Sequence, residues 1–196
     1  MSLTREILAH AATLPQGAVL NLGSLANLGP RPEIAQALRR LEQTGALIRI
    51  APGAYLSPRH GRFGPAAPTP EVILRALSAS TGARIARHGA AAAHLLGLTT
   101  QMPLRTVALT SGRTRSVVIA GQRLELRHAQ EWKLLFPDQL VGDTLRALDW
   151  LGRNEADAAL SVLRTRFGSE ALLPLLKAID PLPPWLGRVI SSLGDG

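Results

Sequence analysis

The sequence predicts an α+β chain: a helix-and-ribbon domain at 1–58, a linker at 59–70, and a larger α/β domain at 71–196 with a small antiparallel sheet and C-terminal helices. Three observations carry this. Apolar residues recur at helical spacing up to Gly45, then give way to two-residue alternation around a Pro-Gly. The stretch "SPRHGRFGPAAPTPE" (Ser57–Glu71) holds four prolines and two glycines, a composition in which no amphipathic period survives. Three short β-like runs follow, and after Pro137 leucines recur at helical intervals.

In the first domain, Leu3 to Ala12 reads as a helix ended by Pro15-Gln16-Gly17. "AVLNL" is a short extended piece, and Ser24 is placed to cap a brief helix at Leu25–Leu28. Gly29-Pro30 turns the chain. Pro32 suits the start of the next helix, where its missing N–H would be unpaired in any case. Ile34, Ala37, Leu38 and Leu41 form one apolar stripe on that helix, while Gln36, Arg39, Arg40 and Gln43 face the other way and Arg31 stands at its start. Gly45 ends it. Ile48 and Ile50 then share one face of a strand and Arg49 the other; Ala51-Pro52-Gly53 reverses the chain and Ala54–Ser57 returns. A hairpin this short is marginal alone, so Ile48, Ile50 and Leu56 are expected to lean on the helices. Three helices and a hairpin in this order describe a winged helix-turn-helix.

In the second domain, "PEVILRALSASTG" reads as a helix, "ARIARHG" as an extended entry, and "AAAAHLLGL" as a helix ending at Gly97. "LRTVALTSG", "SVVIAG" and "RLELRH" predict an antiparallel meander. Helices are expected around Leu140–Leu151, Glu155–Phe167 and Glu170–Ile179, with a last one near Trp185 after Pro183-Pro184.

Net charge is +8, and twenty of the twenty-two basic residues are arginine. Residues 1–64 carry +4 and 65–127 carry +6, whereas 128–196 carry −2. Such a partition attracts a polyanion to the first two thirds of the chain. Arginine's planar fork matches phosphates and guanine edges. A helix fits the major groove of DNA, so Arg31, Gln36, Arg39, Arg40 and Gln43 are candidate groove residues. Arg49, Arg59 and Arg62 are candidates for the backbone or minor groove. Arg105, Arg113, Arg115, Arg123 and Arg127 lie on or between the β runs and are candidate secondary phosphate contacts. The same helix-and-ribbon pattern also serves as a protein-binding module, and solvated basic faces are common.

Little else suggests chemistry. His88 and His94 do not face each other on a helix and have no third ligand at metal spacing. Glu125 and Arg127 faintly resemble a nuclease arrangement, but a cross-strand ion pair is the simpler account. Asp138, Asp143 and Asp149 suit a helix dipole. There is no phosphate loop or nucleophile elbow, so neither an enzyme nor a cofactor is expected. Trp132, Trp150 and Trp185 fit core positions better than a partner surface. With no cysteine, disulfides and thiolate ligands are excluded. No apolar run reaches the roughly 18 residues of a membrane span, and "MSLTREILAH" lacks a signal-peptide layout. These features point to the cytoplasm and away from membranes. No heptad pattern specifies a dimer, leaving monomer and homodimer open.

From about Gly17 to Ser192 the chain resembles the AbiEi-like antitoxins, transcriptional regulators of bacterial type IV toxin–antitoxin systems. The most specific stretch is "HGAAAAHLLGLTTQMP" (His88–Pro103), followed by "LTSGRTRSVVIAGQRLELRH", "LRALDWLG" and "LPPWLGRVI". "ALRRLEQTGALIRIAPGAYLSP" resembles the family's N-terminal winged helix. The resemblance implies a repressor that binds double-stranded DNA at its own promoter. It also implies a C-terminal domain that neutralises a nucleotidyltransferase-like toxin.

Overall fold

The computed structural model describes residues 2–61 and 64–194, and the chain is a mixed α+β protein. It packs as two compact units: Met1–Ala83 with Val117–Leu124, and Arg84–Ser116 with Glu125–Gly196. The segment read as a linker therefore belongs to the first unit, as does the helix after it.

The first unit begins with α1 (Leu3–Thr13), which buries Ile7 and Ala11. Next come β1 (Leu20–Asn21), a 3₁₀ turn at Leu22–Leu25, and α2 (Arg31–Gln43). On α2 the buried residues are Ile34, Ala37, Leu38 and Leu41, the stripe that helical spacing predicts. Gly45 takes φ +71° just past its end, a left-handed conformation cheap only for glycine. Strands β2 (Ile48–Ala51) and β3 (Ala54–Leu56) are antiparallel, with Ile48 opposite Leu56 and a register shift between Arg49 and Ala51. Gly53, at φ +73°, makes the tight turn possible. Strand β1 joins the far side of β3, pairing Leu20 with Tyr55, and the sheet order is β1-β3-β2. Ile7, Leu20, Leu25, Leu38, Leu47 and Tyr55 are among the side chains of the resulting core.

Two expectations here are corrected. The brief helix at Leu25–Leu28 is instead the 3₁₀ turn three residues earlier. Ser24 Oγ does not cap it but donates to the Asn21 carbonyl at 2.8 Å. A stretch of four residues that includes Gly23 closes i→i+3 bonds more readily than a full α turn. The segment read as a linker, in which no regular element is expected from its period, carries a short ribbon: β4 (Arg59–Gly61) pairs antiparallel with β5 (Gly64–Ala66). Pro65 stands opposite His60 there, and a two-stranded ribbon tolerates a proline because each strand is an edge. Helix α3 (Pro70–Thr81) then buries Ile73, Ala76 and Leu77. It approaches the first core at Gly17, where a Cβ would stand 3.0 Å from Val72.

The second unit contains β6 (Ile85–Arg87), α4 (Gly89–Leu95), β7 (Thr106–Thr110), and parts of β8 (Arg115–Ile119) and β9 (Gln122–His128). The strand order is β6-β7-β9-β8, with β6 antiparallel to β7. The expected meander is thus corrected: β7 neighbours β9, not β8. Alternation fixes which side chains share a face and leaves strand neighbours undetermined. Ala120 and Gly121 form the two-residue β8–β9 turn, with φ values of 50° and 76°.

Helices α5 (Leu140–Leu151), α6 (Arg153–Phe167), α7 (Ser169–Leu172) and α8 (Pro184–Ser191) build the second core with α4. The single helix expected over Glu170–Ile179 is split into α7 and a 3₁₀ stretch at Leu173–Ala178. Pro174 removes an N–H donor there and disfavours the α turn before it. Gly89 lets α4 approach α5 closely, since a Cβ would fall 2.5 Å from the Arg146 carbonyl and 2.6 Å from Trp150 Cβ. Trp132 is 6% exposed and Trp185 packs partly into this core, whereas Trp150 is 40% exposed.

Candidate nucleic-acid interface

Helix α2 shows two polar stripes where the sequence suggested one. Arg31, Ala35 and Arg39 recur every fourth residue along one flank; Gln36, Arg40 and Gln43 lie about 100° further round, opposite the buried stripe. Arg31, Gln36, Arg39, Arg40, Gln43 and Arg49 are all exposed. None has a side-chain hydrogen bond or ion pair among the described residues.

The first stripe faces the ribbon. Arg31 and Arg39 of α2 and Arg49 of β2 line a cleft of about 480 Å³, together with Asn21, Gly23, Gly53 and Tyr55. No acidic residue is among its lining side chains. A neighbouring hollow of about 390 Å³ shares Leu22, Gly23 and Arg31 and adds Ala26, Gly29 and Ile34. Three of the sequence-selected residues are thus brought together. Gln36, Arg40 and Gln43 are on the helix's other stripe and do not line the cleft. Arg59 is the first residue of β4, and Arg62 lies outside the described residues.

Arg105, Arg113, Arg115, Arg123 and Arg127 are each exposed. On β9, Leu124 and Leu126 are buried, and alternation puts Arg123, Glu125 and Arg127 together on the other face. Arg127 Nε donates to Glu125 Oε1 at 2.9 Å, so this ion pair joins residues two apart on one strand rather than crossing strands. The hydrogen bond from Arg127 holds the Glu125 carboxyl below its ordinary range. Arg123 falls in the first unit and the other four arginines in the second.

His88, Asp143 and Asp149 have structural partners, whereas the buried Nδ1 of His94 has none among the described residues. His88 is the N-cap of α4, its Nδ1 accepting the Ala90 N–H at 3.3 Å. Burial lowers its pKa, with Arg127 and Lys133 acting in the same direction and Asp149 and Glu125 opposing. Asp149 accepts from Lys133 Nζ at 2.6 Å.

Asp143 stands in the first turn of α5, as the dipole reading expects, and is also buried between Arg87 and Arg146. Arg146 is 2% exposed; it donates to Asp143 at 2.9 Å and to the carbonyls of Leu135 and Lys133. Burial pulls its guanidinium pKa down, and Asp143 opposes the shift. Sequence reasoning missed this network. The available signal was an Asp-x-x-Arg pair in a leucine-rich helix, placing both charges on one face.

Among the described residues, no group of three or more His, Asp or Glu stands where it could hold a metal ion. No described helix is long and apolar enough to cross a membrane. Residues 6–164 match the family of unknown function DUF6088, and the chain belongs to that family. No curated protein matches it.

Proposed function

We propose that this DUF6088 family member is a cytoplasmic, sequence-specific DNA-binding protein that represses transcription from its own promoter. In this reading the first unit acts as a winged helix-turn-helix, with α2 in the major groove and the β2–β3 ribbon beside it. The observation that carries it is the surface of α2: exposed arginines and glutamines without partners in the described chain, next to a ribbon that carries Arg49. The element order helix–strand–turn–helix–hairpin, with the first strand alongside the last, supports the same reading. Arg105, Arg113, Arg115, Arg123 and Arg127 would add affinity without sequence preference. No catalytic step or cofactor belongs to this reading. An inverted-repeat operator would take a homodimer or two monomers side by side.

Fluorescence anisotropy on the DNA upstream of the protein's own gene tests it. Binding should weaken steeply with salt as phosphate counterions are released. The double variant Arg39→Ala, Arg40→Ala should lose at least tenfold in affinity and show a shallower salt slope. An unchanged affinity and slope would falsify the assignment to α2.

A second reading follows from the AbiEi-like resemblance: the second unit is an antitoxin surface that grips a nucleotidyltransferase-like toxin. Its support is the apolar side chains that this unit exposes, with Met102 at 75%, Leu104 at 101% and Trp150 at 40%. Co-purification with the product of the adjacent gene separates this from DNA binding alone.

A further inference from the structure

We infer that Arg31, Arg39 and Arg49 form a seat for one phosphate of a nucleic-acid backbone, distinct from the Gln36–Arg40–Gln43 stripe, which is left to read base edges. The inference rests on the DNA-binding reading above and divides the labour within it. Three arginines line one cleft whose other lining residues include no acid to balance them. Gathering like charges without a counterion is unfavourable, and an anion relieves it. A phosphate suits the site because each planar guanidinium can give two parallel N–H bonds to its oxygens. Gly23 and Gly53 contribute no side chain to the cleft, so a backbone phosphate with its flanking sugars has room to approach.

The seat also explains why the helix needs two stripes. One stripe plus the ribbon fixes how α2 lies on the duplex. The other, opposite the apolar core, is then free to project into the groove. Phosphate contacts of this kind position a protein and carry no sequence information.

The test uses the full chain with two duplexes, its own upstream DNA and a scrambled sequence of equal length, over a range of salt. Arg31→Ala, Arg39→Ala and Arg49→Ala should each weaken both duplexes by the same factor and lower the log–log salt slope by about one. Gln36→Ala with Gln43→Ala should instead change the ratio between the duplexes and leave the slope in place. A further variant, Gly23→Glu, sets a carboxylate against the three arginines. A Cβ at Gly23 meets nothing within 4 Å, so the melting temperature should hold while both affinities fall at least tenfold.

The seat is overturned if the arginine variants alter the ratio and not the slope, or if folded Gly23→Glu binds like the wild type. The three arginine variants give the same readout should Gly23→Glu unfold. If neither duplex binds, the DNA reading fails separately, and the seat is judged with inorganic phosphate alone. Saturable shifts of arginine side-chain NMR signals, lost in Arg39→Ala with Arg49→Ala, would keep it as a site for free phosphate groups. Their absence would remove it.

Discussion

His88 shows how a single side chain ties the second unit's stability to acidity. Its Nδ1 is occupied as an acceptor at the start of α4, so the neutral ring carries its proton on Nε2. Burial, and then Arg127 and Lys133, oppose a second proton. The folded chain therefore holds that proton less well than the unfolded chain, whose histidine titrates near about 6.5. The stability contributed by His88 is complete above that value and is lost as pH falls through the lower folded-state pKa. Thermal melts from pH 7.5 down to 5.0 should show wild type losing more than His88→Asn, which keeps a capping acceptor but has nothing to titrate. Parallel curves for the two proteins would exclude His88 as the source.

At the level of elements, the β8–β9 hairpin carries a correctable flaw. Both turn residues have positive φ, the geometry of the tight turn that matches strand twist, and this favours Asn-Gly over the Ala120-Gly121 present. Ala120→Asn should stabilise the protein by about 1 kcal/mol, the cost of a left-handed alanine. It would appear as a higher urea midpoint; a β-branched Ala120→Val should move the midpoint the other way. Such local chemistry was only partly readable in advance. The α2 stripe and the Pro52-Gly53 turn were legible because each depends on neighbours within a few positions of the chain. The place of β9 between β7 and β8 was not, since pairing partners are chosen by packing across distant sequence. Asp143 and Arg146 were opaque for a related reason. A charge looks like surface until its partner, here the half-buried Arg87 from another element, is known. At the candidate interface, spacing identified the exposed arginines of α2 and sets Arg40 about 100° from Arg39, but only the position of the ribbon shows which of them line the cleft.

For the molecule as a whole, charge is divided unevenly, with a net +10 over residues 1–127 and −2 over the rest. A field of that kind draws in any duplex, whatever its sequence, and supplies most of the salt dependence. Raising salt from 50 to 200 mM should weaken both the upstream and the scrambled duplex by about 10²-fold for four phosphate contacts. The ratio of the two affinities should change only a few-fold, because base-edge contacts release few ions. If that ratio collapsed with salt, discrimination would lie in the ionic contacts themselves. Paired titrations at three salt concentrations are enough to decide.

The separation of α2 into two stripes has an evolutionary consequence. Positions 36, 40 and 43 share no residue with the cleft and stand clear of the core. On the DNA-binding proposal they are free to drift, so descendants of this protein can acquire new target sequences while inheriting an unchanged grip on the duplex.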